Sequence, residues 1–164
     1  MMLLVITAII LTLTYNAVLI SENKGVPLSL SHSFYIFGGK DTWGYIFYGY
    51  LVAMFMLLIV PMMEMTPEKW EFLPFLALGS LCFVGVAADF MDKDTNVIHV
   101  ACAGISAYIS ISWCVVVGYY YIPIIFAVVA AYFIYKDTVN KIYYLEMGAF
   151  AAPLTILLFY YINN

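Results

Sequence analysis

Long apolar runs broken by short polar punctuation organise the chain. Their limits predict helices at roughly 2–20, 44–63, 72–90, 97–118, 120–135 and 141–162. At about 1.5 Å rise per residue, most of these runs match a hydrocarbon core about 30 Å thick. The fifth run is the shortest, and only Tyr119, Tyr120, Tyr121, Ile122 and Pro123 separate it from the fourth, so five spans with one broken helix is the competing count. With no repeat of 20 to 50 residues and no linker, the pattern predicts one all-α transmembrane bundle over residues 1–164. The first run lacks a basic start and a small-residue cleavage site before Ser21, so it is expected to stay as a helix.

Composition explains why the runs cannot be a soluble core. The chain is 66% hydrophobic and 10% charged, with a mean hydropathy of +1.00. A water-exposed surface needs more charge than that, so the solvent is lipid and a multi-pass location in the cell membrane is expected. Fifteen tyrosines, many near segment ends, suit the two interfaces. The net charge is −4 and none of the six basic residues is an arginine, which argues against nucleic acid as a partner. Cys82, Cys102 and Cys114 sit inside apolar runs without metal or redox spacing and read as packing residues.

Lysine placement gives an orientation. With six spans, Lys24, Lys40, Lys93, Lys136 and Lys141 fall on one side and Lys69 on the other, which predicts both termini outside the cytoplasm. Glu64, Glu68 and Glu71 then make an acidic outer loop. The long connection at 21–43 has an apolar centre, residues 26–37, that is too short to span. It either lies in the interface or dips into the bundle, and its alternating serines leave helix and extended forms open.

Ionisable groups at membrane depth cost about 2.5–3.5 kcal/mol each on insertion scales, so each one demands a reason. Asp89, read as the end of the third helix, is either a solvated terminus or part of an inward face with Cys82 and Gly85, whose small side chains let helices approach. His99, read as opening the fourth helix, heads a stripe through Ala103, Ser106 and Ser110. That stripe is either a packing seam or a cavity wall. Glu146, about one and a half turns into the last helix and two turns before Pro153, is expected to face the bundle. Asp89, His99, Glu146 and the 26–37 segment share one end, which predicts a polar cavity open to the inner leaflet. There Asp89, His99 and Glu146 are the candidate catalytic groups, and Ser31, His32, Ser106 and Ser110 the candidate substrate contacts. His99, His32 and Asp89 are the candidate ligands should a zinc ion be held.

The stretch from Gly85 to Tyr108, with an aspartate closing one helix and a histidine opening the next before a Gly/Ala/Ser-rich run, resembles the central motif of the lysoplasmalogenase-like membrane hydrolases. It is similar, more distantly, to the ceramidase and adiponectin-receptor group, whose members share a serine, an aspartate and histidines around zinc. The resemblance implies roles for Asp89 and His99, with Ser31 and His32 as looser counterparts, in a hydrolase. Three readings follow: a lipid- or amphiphile-binding bundle with or without hydrolase activity, a homo-oligomeric pore or small transporter lined by Glu146 and the serine stripe, and an accessory protein that recruits partners.

Overall fold

A computed structural model describes residues 1–39, 44–89 and 92–164. Lys40 and the Phe90 limit expected for the third predicted helix lie outside the described residues. Within them the chain is helical, as α1 (Met2–Asn23), α2 (Ser33–Ile36), α3 (Ile46–Met65), α4 (Phe72–Val86), α5 (Lys93–Val116), α6 (Tyr121–Lys136) and α7 (Lys141–Asn163), with a 3-10 turn at Glu68–Trp70. Among the described residues, five helical stretches are long and apolar enough to cross a membrane, α1, α3, α4 with its preceding turn, α5 and α7. These five pack as a ring in chain order, each against the next, and α7 closes it by touching both α5 and α1. The 16-residue α6 lies outside the ring against α7. At about 1.5 Å per residue it is roughly 24 Å long, short of a full hydrocarbon core.

Local chemistry moves several limits away from the apolar runs. Helix α1 continues to Asn23 because Lys24 adopts a left-handed conformation (φ 55°), and the amides of Lys24 and Gly25 close back on Ser21 and Ile20 in a Schellman turn. Gly118 (φ 87°) ends α5 in the same way, with Tyr119 N–H returned to Cys114. That turn makes α6 a separate helix rather than the second half of a broken one. Helix α4 stops at Val86, so Asp89 lies beyond it instead of ending it. Helix α5 starts at Lys93, since the Asp92 carboxylate accepts from the amide of Thr95 at 3.2 Å and from its hydroxyl at 2.8 Å. His99 is therefore about a turn and a half inside α5 and does not open it.

Large apolar side chains such as Leu3, Val97, Val128 and Tyr135 are exposed around the outside. In water so much contiguous apolar surface would drive association, whereas in a bilayer it is the solvated face. At Gly85 helix α4 approaches α3 closely: a Cβ there would meet the Tyr48 ring at 2.9 Å and the Tyr48 Cα at 3.2 Å. Gly85→Leu is expected to force the two helices apart and destabilise the bundle by about 1–3 kcal/mol. Thermal unfolding in detergent checks this, and an unchanged midpoint would show the contact to be slack.

Candidate functional site

The residues following α1 do not run over the surface. Asn23 donates its side-chain amide to the carbonyls of Gly25 and Val26, both at 3.1 Å, which turns the chain back toward the bundle. Leu30, Ser31, Ser33 and Phe34 are then buried within one end of the ring. Non-helical backbone at that depth must find partners in protein. It finds them on α7, where Tyr143 N–H donates to the Leu28 carbonyl at 3.2 Å and the Glu146 carboxylate accepts the Leu30 N–H at 2.6 Å. The serine alternation resolves as a turn at 30–33 leading into the single helical turn of α2.

Ser31 is the centre of the site. Its hydroxyl lies 2.9 Å from His99 Nε2, and Ser31 and Glu146 line the same cavity. The other ring nitrogen, His99 Nδ1, donates to the Ala87 carbonyl at 2.9 Å and the Val84 carbonyl at 3.1 Å. Those carbonyls belong to the end of α4, where the helix leaves acceptors without intrahelical partners. His99 thus caps α4 and holds the inserted segment with one imidazole. His99 and Glu146 lie six and five residues inside their helices, about 8–9 Å below the helix starts.

Two carbonyls can only accept, so Nδ1 carries the ring hydrogen and Nε2 of the neutral imidazole accepts from Ser31. Ser31 has one proton to give, and it goes to His99.

This cluster forms the polar end of a cavity of about 180 Å³ inside the ring. The wall runs from Phe47 to Met62 along α3, about 22 Å at 1.5 Å per residue. Ser106 and Ser110 line it deeper in, and Ser106 is spent on the Ala77 carbonyl at 2.8 Å. Among the described lining residues Glu146 is the one charged side chain. A second apolar cleft, about 220 Å³, lies between α5, α6 and α7 and shares Ala107, Ser110, Leu145, Ala149 and Pro153 with the first.

Of the residues singled out in the sequence, the structure therefore brings together His99, Glu146 and Ser31, with Ser106 and Ser110 along the same cavity. Asp89 sits on the connection after α4 and accepts from the Tyr35 hydroxyl at 2.9 Å, tying α2 to that connection. His32 Nδ1 is buried without a hydrogen-bond partner, and burial pushes the imidazole below its ordinary value. Among the described residues, no three of the His, Cys, Asp and Glu side chains gather as a metal-ligand set.

Sequence reasoning missed a second polar group beside the site. Thr12, Tyr15 and Asn16 on α1 are buried. Tyr143 donates to Asn16 Oδ1 at 2.9 Å, Tyr50 donates to Thr12 Oγ1 at 3.2 Å, and Tyr15 donates to Ser33. The Tyr15 and Tyr50 rings stack with centroids 4.1 Å apart. Polar residues at i, i+3 and i+4 in an otherwise apolar helix were the available signal.

No family model matches the chain, nor does any curated protein or solved structure.

Proposed function

We propose that the protein binds a single-chain membrane amphiphile, with the tail in the ring cavity and the head at Ser31 and Glu146. The carrying observation is the polarity of the cavity: a long apolar wall ends on a compact group of hydroxyl and carboxyl oxygens. Ligand sites combine an apolar body with a few convergent polar groups, which is the make-up of this cavity's lining. Lys24, Lys93, Lys136 and Lys141 flank the polar end and Lys69 the opposite one, which supports an inner-leaflet head group and external termini.

Ser31 and His99 have the donor–acceptor order of a nucleophile and its base. However, the adjacent Leu30 N–H is given to Glu146, which removes one backbone donor from the surroundings of Ser31. Binding is therefore the reading that the geometry supports, ahead of acyl transfer.

Ala149 lines both clefts, so Ala149→Phe fills the space while leaving Ser31, His99 and Glu146 in place. Displacement of a fluorescent monoacylglycerol in lipid nanodiscs is expected to weaken by about tenfold, the equivalent of about 1.4 kcal/mol. Native mass spectrometry of the same samples should show amphiphile on the wild type and little on the variant. Equal loading of both proteins would remove the proposal.

A further inference from the structure

We infer that the amphiphile carries a primary amine head group, an inference that rests on the amphiphile-binding reading above. The cavity's described lining holds a carboxyl group and no basic side chain. His99 spends both ring nitrogens on Ser31 and the α4 carbonyls, so it offers an incoming head group no free donor. A buried carboxyl in this setting favours a ligand that accepts its proton or brings a positive charge.

A long-chain amine arriving as the free base meets Glu146 in its acid form and takes its proton, so that charge is not carried into the cavity. The nitrogen becomes an ammonium, Glu146 becomes a carboxylate, and the complex stays neutral overall, which a low-dielectric site favours. Ser31 continues to donate to His99, and its oxygen also accepts from the ammonium. The three ammonium hydrogens suit a site whose free capacity is all acceptor. An ionised fatty acid or a phosphate head brings like charge to Glu146, so the same carboxyl that selects the amine rejects them.

The test titrates wild-type protein in phosphatidylcholine nanodiscs with hexadecylamine, a monoacylglycerol and a fatty acid of equal chain length, after subtraction of uptake by empty nanodiscs. The amine is expected to bind about 10- to 100-fold more tightly than the glyceride, with the fatty acid weakest. Glu146→Gln should abolish the preference, so that amine and glyceride bind with equal affinity. Equal affinity for amine and glyceride in the wild type, or preference for the acid, overturns the amine inference and leaves amphiphile binding standing. No binding above empty nanodiscs by any of the three overturns both. The wild-type ranking decides even if Glu146→Gln does not fold.

Discussion

Replacing His99 with alanine is expected to destabilise the bundle by about 3 kcal/mol or more, because the Ser31 hydroxyl and the carbonyls of Val84 and Ala87 each lose a partner, at about 1–3 kcal/mol per buried orphan. For a chain of this size that corresponds to about 6 °C or more in unfolding midpoint. The damage should be local before it is global. Hydrogen exchange over residues 28–36 is expected to rise first, since the segment loses its hold on α5 while keeping its bonds to α7. His99→Gln keeps one acceptor and an amide donor on a longer arm and should recover part of the loss. If His99→Ala melts within about 2 °C of wild type, the imidazole is not the tie described here.

Trp113→Ala is expected to cost a similar amount, about 3–5 kcal/mol, at the other end of the molecule. Its side chain has 0% exposure, and its indole N–H donates to Thr66 Oγ1 at 2.7 Å. Thr66 in turn donates to the Met62 carbonyl in the last turn of α3. In lipid the loss comes mainly from vanished packing contacts and the orphaned hydroxyl, because transfer to an apolar solvent contributes little there. Trp113→Phe should cost about 1 kcal/mol, the worth of the hydrogen bond once most of the volume is kept. Both variants can be ranked by thermal denaturation in one detergent. The inserted segment should exchange as slowly in Trp113→Ala as in wild type at temperatures below the midpoint. Fast exchange there would mean that the two ends are not independent.

The elements of the bundle were legible because lipid-facing segments must be apolar throughout and uninterrupted by charge, so the runs themselves mark the helices. Gly85 was legible as a point of close helix approach for the same reason, since small side chains stand out in apolar runs. Helix ends were less so. The apolar run of α4 continues through Ala88, but the helix stops at Val86 because His99, from another helix, takes over its terminal carbonyls. That exchange is tertiary and leaves no local trace. The Asp92 cap of α5 did leave one, an aspartate three residues before a threonine, hidden in a stretch that reads equally well as solvated charge. In the site, the shared end of His99 and Glu146 follows from topology, whereas the serine that meets the imidazole does not. Ser29, Ser31 and Ser33 alternate evenly, and only the turn at 30–33 decides which one meets the imidazole.

The inserted segment also has a consequence for the order in which the chain is made. Residues 28–31 are closed by Tyr143 and Glu146, separated from Leu30 by more than a hundred positions. During synthesis the first two long helices are therefore complete while the amide of Leu30 still lacks its acceptor, and unpaired backbone groups do not rest in hydrocarbon. The loop must wait in the wet headgroup layer until the last helix arrives, which makes α7 the latch of the assembly. A ribosome-stalled chain ending before residue 140 should accordingly leave a cysteine placed at Ser31 open to a water-soluble maleimide, and the finished protein should shield it.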